Sequence, residues 1–175
     1  MVCDVPILRP GQTEDFVKTY SIIYRICCDS QYFSIFIRNH YLFIDVILVT
    51  EVTHGIKVSV ETKYNGRYFR KNVSLYLFTY NVSIENLGDE TVQLLGRHWF
   101  IFDTGEGPSE VEGSGVIGEQ PIIGSKEVYN YQSGCHLRAS IGAMQGTYLM
   151  SRVSDHSVFK VNIPTLQFFA TPRLN

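Results

Sequence analysis

The sequence predicts an all-β fold, an immunoglobulin-like or fibronectin type III-like β-sandwich of about seven strands, over residues 51–175. Three observations support this prediction. Apolar and polar residues alternate in several short segments, and Gly, Pro, Asn and Asp residues separate these segments. No window between residues 51 and 175 keeps a helical apolar period over three turns. About seven short strands joined by such turns are typical of a two-sheet sandwich.

The segments predict the strands in order along the chain. Residues 56–62 (IKVSVET) alternate apolar and polar side chains, and residues 64–66 (YNG) carry turn residues. Residues 76–85 predict a long antiparallel strand with one face toward the core and one face exposed to solvent. Gly96, inside the next segment, predicts a bulge or a close backbone approach. Pro164 is expected to end one of the later strands. The other predicted strands are residues 92–103, a short one near Val111, 128–133, 147–153, 158–163 and a last edge at 166–170.

Composition and charge limit the classes of partner. Hydrophobic residues make up 45% and charged residues 18% of the chain, as expected for a soluble globular protein. The net charge is −2 and the pI is near 6.2, so no domain-wide positive field is available to hold phosphates. A nucleic-acid partner is therefore not expected.

Cysteine usage and hydropathy predict a cytoplasmic location. The four cysteines form no CxxC pair, which favours free thiols in a reducing compartment. Residues 1–12 carry no cationic segment followed by an apolar one, so a secretory signal is not expected. The most apolar run, residues 41–49, is nine residues long and contains Asp45, whereas a membrane span needs about 20 apolar residues.

The chain changes character near residue 50, which divides it into an N-terminal extension (1–50) and a folded domain (51–175). Residues 1–50 hold one of the 14 glycines but eight Ile, four Phe and four Tyr. One interpretation is an additional hairpin or helix on the domain. The other is a mis-set start, with poorly ordered residues translated from AT-rich DNA and a natural start near Val49. We favour the second as a hypothesis, which the detection of residues 19–25 by mass spectrometry of the native protein would contradict.

A glycine-rich motif at residues 113–118 (GSGVIG) matches the G-x-G-x-x-G pattern of dinucleotide sites. The candidate ligand-binding residues are Gly113, Ser114, Gly115 and Gly118. However, residues 119–124 (EQPIIG) cannot begin a helix, and no Lys or Arg lies between Arg97 and Lys126. A bulged connection between sheets is therefore the favoured interpretation, while a backbone nest that binds an anion stays open.

Metal binding is a second candidate function, with His98, Cys135 and His136 as the possible ligands. Adjacent strand residues point to opposite faces, so Cys135 and His136 can share a metal only from a loop. A loop after Gly134 is expected on this hypothesis. No cofactor is expected, although the pattern leaves a divalent cation open.

The remaining motifs indicate binding and not catalysis. Trp99 is expected in the core, and Arg97 is expected to pair with a carboxylate near the rim of the sheet. No G-x-S-x-G motif occurs, and Cys135 beside His136 lacks a recognisable orienting partner. We therefore expect a protein that is not an enzyme.

Several segments, taken together, resemble the ApaG family (the ApaG or DUF525 domain). They include GIKVSVET, TVQLLGRHWFIFD and EVEGSGVIGEQP, and they occur in family order over residues 53–175. The matching segments are residues 55–62, 78–87, 91–103, 110–121, 131–134, 144–150 and 159–164. Residues 1–50 depart from the family pattern.

The resemblance implies a fibronectin type III-like sandwich without enzyme activity. It implies a stand-alone cytoplasmic protein linked to cobalt and magnesium efflux, because bacterial members are associated with that process. Related eukaryotic domains imply a protein-interaction module. The family's glycine-rich loop, onto which Gly113, Gly115 and Gly118 map, implies binding of pyrophosphate-like groups. We rank a protein partner of unknown identity first, phosphate, pyrophosphate or nucleotide binding second, and direct metal binding third.

Overall fold

The computed structural model describes the chain at residues 22–26, 33–37 and 47–170. The described residues form eleven β-strands. In order, these are β1 (Ile22–Ile26), β2 (Phe33–Ile37), β3 (Ile47–Thr53), β4 (Ile56–Arg70), β5 (Val73–Asn86), β6 (Val92–Asp103), β7 (Gly107–Ser114), β8 (Ile122–Ile123), β9 (Val128–Leu137), β10 (Ile141–Arg152) and β11 (Val158–Phe169).

The strands build two antiparallel sheets. Sheet A has the order β1-β2-β3-β4-β5-β9, and sheet B has the order β11-β10-β6-β7, with the short β8 paired to one end of β6. Within sheet A, β2 and β3 share the single pair Phe33 and Leu48. Side-chain bonds join the two sheets at one edge, where the Asn162 amide donates to Glu51 Oε1 at 2.9 Å.

The core lies between the inner faces of the two sheets. In β5 every second residue from Phe78 to Asn86 is buried, which is the pattern of a strand with one core face. Phe78 from sheet A meets Phe168 from sheet B with ring centroids 4.9 Å apart. Trp99 is 3% exposed, and its ring makes edge contacts with Tyr80 and Tyr148. The core position predicted for Trp99 is therefore confirmed.

The predicted all-β sandwich is confirmed, but residues 47–170 contain nine strands where about seven were expected. The turn predicted at residues 64–66 is wrong. Strand β4 continues through it to Arg70, and the register with β5 shifts by one residue between Tyr64 and Gly66. Gly66 adopts φ +116°, which allows the bulge. The chain reverses instead at Lys71 and Asn72, which both have positive φ as a two-residue hairpin turn requires.

Strand β11 also runs through a predicted break. Pro164 was expected to end a strand, but it lies inside β11 where the register with β10 shifts between Met144 and Gly146. Within the described part of the chain, sheet B ends at β11, so one edge of this strand has no partner strand there. A proline is tolerated at a bulge in an edge strand because no ladder bond depends on its missing N–H.

The bulge predicted at Gly96 is confirmed. The register of β6 with β10 shifts beside it, and a Cβ at this position would lie 3.2 Å from the carbonyl oxygen of Gly113. The hypothesis of a mis-set start concerns residues 1–50, most of which lie outside the described residues. It stays a prediction.

Candidate functional site

The glycine motif forms the tight turn after β7, which we call the glycine turn (residues 113–119). Gly115, Ile117 and Gly118 all have positive φ. Val116 and Glu119 exchange two backbone hydrogen bonds of 2.8 and 2.9 Å, which close the turn. A Cβ on Gly115 would lie 1.9 Å from the carbonyl oxygen of Glu119, so only glycine fits there. No helix follows the motif, as expected from the sequence, but the expected connection between sheets is wrong, because β7 and β8 on either side of the turn both pair with β6 in sheet B.

Arg97 places a cation beside the glycine turn. The sequence did not reveal this contact, because Arg97 and the turn are far apart along the chain. Arg97 pairs with Gly113 across β6 and β7, and its Nη1 donates to the carbonyl oxygens of Gly115 at 2.7 Å and Ser114 at 3.3 Å. The expected pairing of Arg97 with a carboxylate is therefore wrong. The cause is the sheet register, which places the guanidinium under two turn carbonyls.

The amides of the glycine turn are largely occupied by the chain itself. Gly115 N–H donates to the carbonyl of Leu95 at 2.9 Å, and the Val116 and Glu119 amides bond to each other's carbonyl oxygens. Binding an anion through a backbone nest requires amides that are free to point at the ligand. The four candidate residues thus share one turn, whose carbonyls contact the nearby cation.

The three candidate metal ligands are separated by the fold. His98 lies on β6 in sheet B, whereas Cys135 and His136 lie on β9 in sheet A. The loop expected around Cys135 and His136 is wrong, because both residues lie within a regular strand, where Cys135 is buried and His136 is exposed. In the part of the chain that the structure describes, no three His, Cys, Asp or Glu side chains come together as a metal group.

The thiol of Cys135 is poorly suited to nucleophilic chemistry. Burial, with a smaller contribution from the charge of Asp103, raises the pKa of this thiol to about 12. Nucleophilic cysteines need the thiolate, and they occupy sites that lower the pKa. Cys135 instead packs in the core, where it behaves as a small apolar side chain.

The outer face of sheet B carries an apolar groove that sequence reasoning did not single out. Its floor and wall are formed by Phe100, Phe102, Pro108, Ala143 and Gln145, which we call the aromatic groove. Phe100 is 42% and Phe102 is 52% exposed, and the groove has a volume of about 430 Å³. The signal was present in the sequence, because once Trp99 is assigned to the core, strand alternation places residues 98, 100 and 102 outside.

An acidic border lies beside the aromatic groove. The His98 ring contacts the carboxylates of Glu110 at 3.1 Å and Glu112 at 3.6 Å, and its centroid is 4.3 Å from the Phe100 ring. Both carboxylates are mostly exposed. The groove therefore combines aromatic surface with a polar margin, as protein-binding surfaces do.

The outer face of sheet A has a different chemistry. Its side chains bond to one another along the sheet: Gln132 donates to Asn81 at 2.8 Å, and Asn81 donates to Glu61 at 3.3 Å. The Thr50 hydroxyl likewise donates to Ser59 at 3.0 Å. Because these polar groups satisfy one another, burying this face offers a partner little gain. Sheet A also exposes Leu48, Val52 and Val128, but the aromatic rings that are exposed side by side, Phe100 and Phe102, lie on sheet B.

Comparison with known proteins assigns the family. The family model described as DUF525, ApaG domain, matches residues 67–152. The chain is 39% identical over 121 residues to Protein ApaG of Thiobacillus denitrificans, covering 69% of this chain and 94% of the relative. It is 41% identical over 117 residues to Protein ApaG of Brucella canis, covering 67% and 89%. The chain belongs to the ApaG family.

Solved structures agree with this assignment. The ApaG fold described above is similar to the X-ray structure of a structural-genomics target at 37% identity and TM-score 0.64, covering 69% of this chain and 90% of that one. It is also similar to an ApaA protein from Bordetella pertussis at 35% identity and TM-score 0.58, covering 68% and 95%. The resemblance expected from the sequence is thereby confirmed.

The residues matched as an ApaG domain include the glycine turn and most of the aromatic groove. They also include Arg97, which links the two features through β6. Among the described residues of this ApaG chain, no helix is long and apolar enough to cross a membrane.

Proposed function

We propose that this ApaG protein is a non-enzymatic binding module of the cytoplasm and that a protein partner docks on the aromatic groove. The observation that carries the proposal is the exposure of Phe100 and Phe102 side by side on an outer sheet face. Fully burying a Phe side chain contributes about 1.5–3 kcal/mol, so a partner that covers these two half-exposed rings gains binding free energy from their burial. Exposed apolar patches of this kind commonly mark interaction sites.

The structure around the groove supports a rigid docking surface. Both rings stand on β6, which is paired on one side with β10 and on the other with β7. Rigid aromatic anchors lose little conformational entropy on binding, which is why they dominate the energetics of interfaces. The glycine turn is not part of the proposal, because its carbonyls contact Arg97 and three of its amides are already bonded.

The proposed process is cobalt and magnesium homeostasis, to which the family resemblance points. On this proposal the protein acts on metal levels through its partner and does not hold the metal itself. The separation of His98 from Cys135 and His136 supports an indirect role.

A double variant tests the proposal. Replacing Phe100 and Phe102 with Ser should weaken binding of the partner at least tenfold, because loss of aromatic hot-spot residues costs about 2 kcal/mol or more each. The partner is first captured from native cells with the wild-type protein, and its affinity is then measured by calorimetry with the purified pair. Cells that carry the double variant should tolerate cobalt no better than cells that lack the protein.

Val52→Ser provides the control. Val52 is 54% exposed but lies on β3 in the other sheet, so its loss should leave partner affinity and cobalt tolerance unchanged. Equal affinity for the wild type and the groove variant would contradict the proposed docking site. Normal cobalt tolerance in cells that lack the protein would contradict the proposed process.

A further inference from the structure

At one end of sheet A, β4 and β5 run on past the end of β9, and we call residues 63–75 the basic arm. Residues 68–75 of the arm form a two-stranded ribbon, whereas the β4 residues before them pair with a part of β5 that also pairs with β9. Among the described residues, the last partner of β4 in β3 is Ile47, which pairs with Thr62, and β9 pairs with β5 only as far as Tyr76. Three more pairs of β4 and β5 follow, ending at Arg70 and Val73. At about 3.4 Å per residue, this part projects about 10 Å beyond the sheet.

The basic arm concentrates positive charge. It carries Lys63, Arg67, Arg70 and Lys71, all of them exposed. No Asp or Glu occurs between residues 62 and 84, and none of the four cations forms an ion pair with a described residue. The cations outside the arm behave differently. Four of them contact a carboxylate: Lys57, Lys126, Arg138 and Arg152.

Aromatic rings lie between the cations of the arm. The Phe69 ring is 66% exposed, and the Arg67 guanidinium lies 5.2 Å from its centroid. Tyr68, on the opposite face of the strand, is half-buried and contacts the ring of His136 edge-on. Each face of the ribbon thus presents at least one ring and at least one arginine.

We propose that the basic arm binds single-stranded nucleic acid. Single strands are held by cations that contact phosphates and by aromatic rings on which bases stack, and the arm supplies both within nine residues of β4 and its turn. The net charge of −2 had argued against a nucleic-acid partner for the chain as a whole. The fold answers that objection locally, because it gathers at one end of sheet A four cations that form no ion pair with a described residue. Two of them, Arg70 and Lys71, lie on the projecting ribbon and its turn.

Two other polyanions fit the arm less well. An acidic protein would use the cations but would have no need of exposed rings between them. A protein that binds an anionic membrane inserts apolar side chains into the lipid. The tip of the arm is instead formed by the polar residues Lys71 and Asn72, and Phe69 lies behind them. The site lies on sheet A, so the proposal can fail independently of docking at the aromatic groove on sheet B.

The experiment measures fluorescence anisotropy of a labelled single-stranded oligouridine of about 12 nucleotides mixed with the full chain. Binding should weaken between about 50 and 200 mM salt, with a slope of about −0.7 for each phosphate contacted. The triple variant Arg67→Gln, Arg70→Gln, Lys71→Gln should reduce the magnitude of that slope by about 2. Phe69→Leu keeps the charge but removes the ring, and it should weaken binding about tenfold.

Lys126→Gln, Arg138→Gln, Lys160→Gln is the matched control, since it removes the same charge from other parts of the surface. This variant should retain the slope and the affinity of the wild type to within about twofold. Three outcomes would overturn the proposal. The first is that the oligouridine does not bind at low salt. The second is that the control variant and the arm variant lose the same affinity for the oligouridine. The third is that Phe69→Leu keeps its affinity for the oligouridine while the wild type binds polyglutamate, or vesicles rich in anionic lipid, as tightly as it binds the oligouridine.

Discussion

Replacing Asp103 with Ala is expected to lower the free energy of unfolding by about 3–5 kcal/mol, because three backbone amides lose their acceptor. The carboxylate of Asp103 is 5% exposed at the end of β6. It accepts hydrogen bonds from the amides of Gly105 at 2.8 Å, Arg138 at 2.6 Å and Ala139 at 3.1 Å. These bonds connect the turn after β6 to the turn between β9 and β10, so the side chain joins the two sheets. Urea unfolding followed by the fluorescence of Trp99, the single tryptophan, measures the loss.

Two further substitutions separate the acceptor role from charge. Asp103→Asn keeps an oxygen for the Gly105 and Ala139 amides but turns its own donor toward Arg138, so we expect a loss of about 1–2 kcal/mol. Asp89→Ala removes a carboxylate that is 95% exposed, and its effect should stay within about 0.5 kcal/mol. Were Asp103→Ala to unfold at the same urea concentration as the wild type, the amides would have found other partners and the proposed role would be wrong.

The Asp103 contacts also bear on the aromatic groove. Phe102 precedes Asp103 in β6, and the turn that the carboxylate holds leads directly into Pro108 on the groove wall. Loss of these contacts should therefore loosen the groove as well as the fold. The variant Asp103→Asn, which we expect to stay folded, should bind the proposed partner more weakly than the wild type does.

The second large expected effect is cooperative unfolding at alkaline pH. Burial raises the pKa of Tyr80, Tyr131 and Tyr148 above the ordinary value of 10.0. The hydroxyls of Tyr131 and Tyr148 also bond to each other in the core. In the folded protein these groups keep their protons at a pH at which the unfolded chain has already lost them.

The sign of the effect follows from the direction of these shifts. At pH values well below 9.0 the tyrosines and the Cys135 thiol are neutral in both states, so stability does not depend on them. Between pH 9 and 10 the thiol, with its pKa raised from 9.0 to about 12, begins to favour the unfolded chain. Above pH 10 the three tyrosines add to this. Each group lowers the free energy of unfolding by about 1.4 kcal/mol per pH unit while the pH lies between its unfolded and its folded pKa, so Tyr131 and Tyr148 together lower it by about 3 kcal/mol per unit.

A titration with two signals tests this prediction. Trp99 fluorescence should report unfolding at the same pH at which tyrosinate absorbance rises steeply. The double variant Tyr131→Phe, Tyr148→Phe removes both members of the hydroxyl pair, so its stability at neutral pH should change by about 1 kcal/mol or less. Its alkaline loss of stability should be clearly shallower. An unchanged alkaline profile in this variant would show that other groups drive the unfolding.

Much of the sandwich was predictable because its pattern is local. The alternation in residues 76–85 defines the core face of β5, and the bounds predicted for β6 agree with the structure. The absence of helix-forming residues after the glycine motif correctly indicated a turn. Where local signals competed, the prediction failed: the YNG sequence at 64–66 favours a turn, yet the pairing of β4 with β5 on both sides of Gly66 converts it into a bulge.

The all-β sandwich of the opening prediction was therefore determined by the sequence alone, together with the place of Trp99 in the core and the resemblance to the ApaG family. The tertiary structure decided which side chains meet. It placed Arg97 under the glycine turn, His98 on a different sheet from Cys135, and Phe100 and Phe102 together on an open face. The physical reason is that alternation and turn propensity depend on neighbouring residues, whereas register and sheet order depend on long-range pairing and on the burial of the common core.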